Sequence, residues 1–421
     1  MSKEHWFKVH WGWVVLGSGF VTLFIAYSIR IGAYSVLLPE MIKEFQMTKA
    51  QAGMIKSAFS LTYLIFAPLM GWLTDRVGGR KVISFFCLFL GGGTFLMGKA
   101  ETFPGSAIFY SIVGLGAAAT WVPIATLIQN WFGEKKRGLA LGILSPSYSI
   151  GFGLMGLILP VIVLEYNWRV GWFILGIAGF FLFFLNGLLL RDQPEEMGLH
   201  PWGESVERGV ETTAPNKTIP NKKMGYLEIL KEGKFWIIGI SYFAISYGTY
   251  SLLDFIVTYG AMELKIPYKV AALFITVIAF ISVVGGILLM ALSDYMGRKK
   301  SLVIIHILVA LSVLFVISRG KNIPLLMVAV GCFGFLYGPI WPMYAACTRD
   351  YFPKEVTGTV FGLMTIFYGI GMMVSPVLTG YLADITGTFR WSFGLGAFIS
   401  FMAAFLIGAL KKQGGFGKES D

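Results

Sequence analysis

Apolar residues along this chain come in runs of about twenty or more, separated by short polar turns. Runs of that length match the width of a bilayer core, where only a helix satisfies its own backbone within one segment. They predict helices at 11–38, 53–74, 82–100, 106–131, 138–163 and 169–190, and again at 234–260, 269–293, 300–318, 324–350, 356–383 and 389–410. Between the two sets lies one long polar stretch, 191–233, rich in Pro, Glu, Lys and Thr and without an apolar period. The chain therefore divides into an N-terminal six-helix bundle (1–190), a cytoplasmic linker (191–233) and a C-terminal six-helix bundle (234–421), an all-α membrane protein of twelve spans.

Composition agrees. The 421 residues are 56% apolar and 14% charged, against about 25% charged in soluble domains. Mean hydropathy is +0.71, which excludes a soluble enzyme. A net charge of +11 raises the question of nucleic acid, but the basic residues sit in short loops between spans. Arg76, Arg80 and Lys81 follow the second span, Lys135, Lys136 and Arg137 the fourth, and Arg298, Lys299 and Lys300 the eighth. The positive-inside rule accounts for them and places these loops, and both termini, in the cytoplasm. The apolar run from Trp11 is too long for a secretory leader. The expected location is a cell membrane, of prokaryotic inner-membrane type, with the protein as a monomer. Cys87, Cys332 and Cys347 are far apart within apolar runs, so neither a disulfide framework nor a metal site is expected. No catalytic constellation or cofactor motif is visible. GFGLMG (Gly151–Gly156) lies inside a span with no strand before it, so it reads as close helix packing.

The two halves repeat. At a spacing of 219, Asp75 meets Asp294, Gly78 meets Gly297 and Glu44 meets Glu263. At 220, Gly138 meets Gly358, Gly142 meets Gly362 and Tyr148 meets Tyr368; at 221, Arg169 meets Arg390. Such drift suits a duplicated six-helix unit with parallel repeats about an axis along the membrane normal.

GWLTDRVGGRKV (Gly71–Val82) and its echo ALSDYMGRKK (Ala291–Lys300) resemble the signature loop of the major facilitator superfamily. The resemblance implies the major facilitator fold, two pseudo-symmetric six-helix bundles, and a gating role for Asp75, Arg76, Arg80, Arg137, Asp294 and Arg298. A carboxylate is stabilised at a helix N-terminus, so Asp75 is expected to face the span starting at 356 and Asp294 the span starting at 138 when the cytoplasmic side is closed. NWFGEKKRGLALGI (Asn130–Ile143) resembles monocarboxylate and oxalate/formate porters, although the cation those families carry in the eighth span is missing from FISVVGGILLMALSD. Tyr27-Ser-Ile-Arg30 resembles the first span of organophosphate/phosphate antiporters, whose second Arg in the seventh span is replaced here by Thr249. What these branches share is small organic anions.

Arg30 is the first candidate. An Arg within a span costs about 2.5–3.5 kcal/mol on insertion scales, which calls for a compensating role, a carboxylate ligand or a structural partner. Tyr27 and Tyr34 lie three and four residues away, on the same helical face. Asp254 is the one acid placed clearly inside a span and shares its face with Tyr250. It could hold a coupling proton or simply neutralise Arg30. Thr120, Trp121, Tyr148, Tyr337, Trp341 and Tyr368 complete the candidate lining, each with ordinary packing as its alternative. His306 is expected to be peripheral packing. One central cation suits a singly charged ligand. The expectation is a secondary transporter of small organic anions, monocarboxylates above all, working by alternating access with proton symport. The alternatives are an organic-anion exchanger without protons, a drug or metabolite exporter with a structural Arg30, and a non-transporting sensor.

Overall fold

The computed structural model describes residues 10–204, 226–353 and 356–410. Among these residues twelve helices are long and apolar enough to cross a membrane: α1 Trp11–Phe45, α2 Lys49–Val77, α3 Gly79–Gly98, α4 Phe103–Trp131, α5 Glu134–Glu165, α6 Trp168–Leu189, α7 Gly233–Glu263, α8 Tyr268–Met296, α9 Arg298–Ser318, α10 Ile323–Tyr351, α11 Thr357–Thr386 and α12 Phe389–Gly408. Several begin on a side-chain cap. Thr48 and Gln51 form a reciprocal capping box at the start of α2, and Thr102, Asn167, Asn322 and Thr388 cap α4, α6, α10 and α12.

Among the described residues five spans depart from a continuous α-helix, and in one of them, α5, a turn at Ser145 separates Glu134–Leu144 from Pro146–Glu165. In α1 the turn Ser28–Ala33 winds as a π-helix, and α7 ends in a π-helical turn, Tyr259–Glu263. α4 breaks at Ala119–Thr120 and α10 at Gly338–Pro339. Breaks of this kind release carbonyls from the i→i+4 ladder and are tolerated in a span only where protein re-satisfies them.

The repeat seen in the sequence is carried into contacts. Glu44 accepts hydrogen bonds from Trp168 Nε1 at 2.5 Å and Arg169 Nη2 at 2.6 Å, tying the end of α1 to the start of α6. Glu263 accepts from Thr388 Oγ1 and from the Phe389 backbone N–H at 2.8 Å, tying the end of α7 to the start of α12.

The halves are clasped at the end that carries residues 46–48. Asp384 accepts the N–H groups of Lys49 and Ala50 at 2.9 and 2.8 Å, so an acid of α11 caps α2. Ser35 donates to Leu253 O at 3.0 Å and Tyr268 to Val36 O at 2.7 Å. Gly53 packs so tightly on Pro376 O that a Cβ would lie 2.1 Å from it. The clasp reaches mid-depth along α5 and α8, where Thr276 donates to Gly153 O at 2.8 Å and the Ser149 and Ser282 hydroxyls meet at 3.0 Å. At the opposite end, which carries the basic loops, Gly138, Gly142, Gly358 and Gly362 face open space.

The polar stretch is not featureless at its start. Pro194–Met197 forms a 3-10 turn, and Trp202 exchanges backbone hydrogen bonds with Trp131 O and Gly133 N at 2.9 and 3.1 Å. Residues 191–204 therefore dock on the N-terminal half. The remainder of the stretch to 225 lies outside the described residues.

Candidate functional site

Arg30 sits in the π-helical turn of α1, buried at 6% exposure. Its guanidinium lies over the rings of Tyr27, Tyr63 and Phe59 at 4.8, 4.9 and 5.8 Å. Nη2 reaches the Met372 sulfur of α11 at 3.4 Å, and Nε has no hydrogen-bond partner. No carboxylate comes within ion-pair distance of it among the described residues. Arg30 is thus a cation held by aromatic faces and one thioether sulfur.

The backbone of the same turn is occupied from behind. The Lys56 ammonium of α2 donates to Arg30 O, and Tyr110 donates to the same carbonyl at 3.1 Å. Lys56 Nζ lies 3.4 Å from Asp254 Oδ1 across the interface between halves, with the two side chains 1% and 0% exposed. It also faces the rings of Tyr34, Phe59 and Tyr110 at 4.8, 5.4 and 5.9 Å. Neither carboxylate oxygen of Asp254 has a hydrogen-bond partner.

This arrangement corrects three expectations. Asp254 does not neutralise Arg30; it pairs with Lys56. The centre holds two buried cations rather than one. Tyr34 does not flank the guanidinium: its hydroxyl donates to Ala52 O at 2.6 Å and its ring stacks on Tyr110 at 5.3 Å. The extra residue of the π-helical turn rotates Tyr34 away from the face it would share with Arg30 in a regular helix. Lys56 was as visible in the sequence as Arg30, within AGMIKSAFSLTY. A span starting at 53 places Lys56 within its first turn; the Thr48 cap starts the helix at Lys49 and carries Lys56 a turn deeper.

Most of the remaining aromatic candidates do converge. Tyr27 packs on Tyr148 at 5.3 Å, Tyr148 on Trp121 at 6.2 Å, and Trp121 edge-on to Trp341 at 5.7 Å. Within the C-terminal half the Tyr368 hydroxyl donates to the Tyr250 oxygen at 3.4 Å. Tyr337 stacks on Phe333 at 6.2 Å and lies within electrostatic reach of Arg30, Tyr27 and Tyr250. Thr120 is not brought in: its hydroxyl donates to Ala117 O at 2.7 Å and serves the break in α4. Tyr63, Phe59 and Met372 join the cage without having been singled out, since nothing in their local pattern distinguishes them from core. His306 is buried rather than peripheral, bonded to Ser400 O at 3.0 Å and the Tyr344 hydroxyl at 2.7 Å.

The loop residues face the parted end. Arg76 lies over Trp72 at 4.4 Å, and Arg80 bonds Gly187 O at 2.6 Å while its N–H meets Asp192 at 2.8 Å. Arg137 bonds Gln129 O at 2.9 Å, and Arg298 pairs with Asp294 within the same loop. Asp75 is exposed and without an ion-pair partner among the described residues. The contacts expected of Asp75 and Asp294 with α11 and α5 need that end closed, and here it is parted. No group of three His, Cys, Asp or Glu side chains could hold a metal among the described residues.

Comparison with known proteins fits this geometry. The family model described as "Major Facilitator Superfamily" matches residues 18–318 and 263–414. A probable galactarate/D-glucarate transporter, GarP, of Escherichia coli K12 is 24% identical, covering 96% of each chain. A hexuronate transporter of Bacillus subtilis 168 is 24% identical, covering 89% of each. A solved bacterial homologue of the human lysosomal transporter Spinster, inward-facing and occupied, shares the fold at a TM-score of 0.71 and 16% identity, covering 94% of this chain and 95% of that one.

Proposed function

The chain belongs to the Major Facilitator Superfamily, a family of transporters rather than enzymes, and from that premise we propose that it carries a small organic anion by alternating access, with a proton as the coupling ion. The observation that carries the anion is Arg30: a buried guanidinium with no carboxylate at ion-pair distance among the described residues. An uncompensated buried charge is costly, and an entering anion relieves it. A planar fork with an unpartnered Nε suits a carboxylate.

The charge count favours a monocarboxylate. Lys56 and Asp254 cancel, which leaves one positive charge for the ligand to meet. The surroundings of Arg30 are largely phenolic, with Tyr27 and Tyr63 under the guanidinium, Tyr250 and Tyr368 within electrostatic reach and Tyr148 packed on Tyr27, and a phenol offers a hydrogen bond beside an apolar face. That lining suits an acid that carries hydroxyl groups of its own. The printed names of the relatives, galactarate/D-glucarate and hexuronate transporters, support the hydroxyl-bearing acid, and the second of them the single carboxylate.

Asp254 is the proposed proton site. A proton there removes a negative charge near Arg30 and so favours the anion, and by linkage the anion favours the proton. One proton with one monoanion also leaves the net charge of the centre unchanged from its empty state, so the loaded and empty carriers cross the bilayer with equal charge. The basic loops at the parted end support an inward-facing reading, with both ends of the chain on the cytoplasmic side. The protein acts as a monomer in a prokaryotic inner membrane.

Proteoliposome uptake of labelled hexuronates, lactate and pyruvate, with and without a pH gradient, tests this. Gradient-driven accumulation in the wild type, lost in Asp254→Asn with exchange retained, supports the coupled reading. Gradient-independent exchange in the wild type would replace it with exchange without protons. Full uptake of every anion by Arg30→Ala would remove the anion site.

A further inference from the structure

Lys56 and Asp254 have no counterparts in the repeat. At the spacing that pairs Asp75 with Asp294, Lys56 answers to Ile275 and Asp254 to Ser35. Like Arg30, which answers to Thr249, they are charges added to a symmetric scaffold. The three are also physically joined: Lys56 donates to the Arg30 carbonyl, and Phe59 presents its ring to both cations, at 5.8 Å from the Arg30 guanidinium carbon and 5.4 Å from Lys56 Nζ.

We propose that Asp254 is a specificity-determining residue that fixes the charge number of the ligand: while ionised it cancels Lys56, so the site presents one net positive charge and selects monoanions over dianions, a preference that its protonation in the coupling step removes. The inference rests on the anion reading above. It needs no contact between ligand and Lys56. Lys56 is 1% exposed and lies behind the π-helical turn, so it acts through its field. In a water-excluded centre that field is weakly screened, since charges a few ångströms apart interact several times more strongly than in water. A dianion brought to Arg30 meets one surplus cation and one carboxylate that repels its second charge. A monoanion leaves nothing unpaired.

The pair is placed to do this. Beyond the Lys56 ammonium at 3.4 Å, the Asp254 carboxylate has no hydrogen-bond donor against it among the described residues. Its one charged neighbour at ion-pair distance is Lys56. Neutralising it therefore exposes a second uncompensated cation within reach of the same ligand.

The test is competition binding at mildly alkaline pH, with a hexuronate (one carboxylate) and an aldarate such as galactarate (two carboxylates) on the purified transporter. The wild type is expected to prefer the hexuronate. Asp254→Asn is expected to move the ratio of affinities at least tenfold toward the aldarate, and Lys56→Met/Asp254→Asn to return it to the wild-type value. An unchanged ratio in Asp254→Asn overturns the proposal. Where Asp254→Asn fails to fold, Lys56→Met carries the test. It leaves the Asp254 carboxylate buried and uncompensated in the same centre and is expected to weaken both ligands at least tenfold, the aldarate more. An equal loss for the two ligands overturns the proposal. A wild type that binds neither ligand, nor any other organic anion offered, refutes the anion reading itself, which is a distinct result.

Discussion

Lys56 Nζ and Asp254 Oδ1 stand 3.4 Å apart on opposite halves of the molecule, both out of reach of solvent. Removing one member of such a pair leaves a buried charge with nothing against it, at a cost of about 3–5 kcal/mol, whereas removing both together is often neutral. Lys56→Met is therefore expected to lower the thermal midpoint in detergent by several degrees. Lys56→Met/Asp254→Asn should recover most of that loss. A double variant as unstable as the sum of the two singles would show that the pair contributes no coupling.

Arg30 differs because its partner is missing. Truncating it removes charge-assisted bonds to a ligand worth about 1.5–3 kcal/mol each, so Arg30→Ala should weaken anion binding by ten- to several-hundredfold. The protein itself should lose little stability, since the guanidinium has one contact to the Met372 sulfur and otherwise only ring faces. Arg30→Lys is expected to behave more like Ala than like wild type, because a point charge does not reproduce a planar fork over phenols. Calorimetric titration with melting curves on the same preparations separates the two effects. Near-wild-type affinity in Arg30→Lys would show that charge alone suffices.

The glycines that face open space are related by the repeat. Gly138 and Gly142 on α5 correspond to Gly358 and Gly362 on α11, and no atom lies within 4 Å of a Cβ built at any of them. At the clasped end, glycines such as Gly53 and Gly380 meet a neighbouring backbone at about the closest distance two helices allow. Alternating access requires the parted end to close in its turn, and small residues at the same register let the helices meet. Gly142→Leu and Gly362→Leu should fold normally and still bind ligand, because the present state has room for them. Transport should fall at least tenfold. Transport at the wild-type rate in both variants would mean that these faces never come together.

The architecture was legible because its causes are local. Run length gives the spans, and the recurrence of Asp75 at Asp294 and Tyr148 at Tyr368 gives the duplication. The centre was only half legible. Arg30 announces itself as a charge in an apolar run, and Trp121 and Trp341 announce themselves by their matching place in α4 and α10. Their meeting at 5.7 Å was within reach of the pattern. The partner of Asp254 was not. It depends on a capping box that lengthens α2 by a turn and on a crossing between halves. A π-helical turn, which no spacing rule anticipates, sent Tyr34 to Lys56 instead of to Arg30.

Glu44 and Glu263 occupy equivalent places in the repeat and hold equivalent helix starts, yet their surroundings differ. Glu44 is 47% exposed and bonds the Arg169 and Trp168 side chains. Water screens that ion pair, and exposed pairs contribute about 0–1 kcal/mol. Glu263 is partly buried and accepts the Phe389 backbone N–H at 2.8 Å along with the Thr388 hydroxyl, at the N-terminus of α12 where a negative charge is favoured. Glu263→Gln is therefore expected to cost about 1–2 kcal/mol and Glu44→Gln distinctly less. The two should also respond differently to salt: raising it toward 1 M should erase the small effect at Glu44 and leave most of the effect at Glu263. Melting curves of both variants at low and high salt decide this, and equal losses with equal salt dependence would show that the repeat, not the local burial, sets the energetics of these two acids.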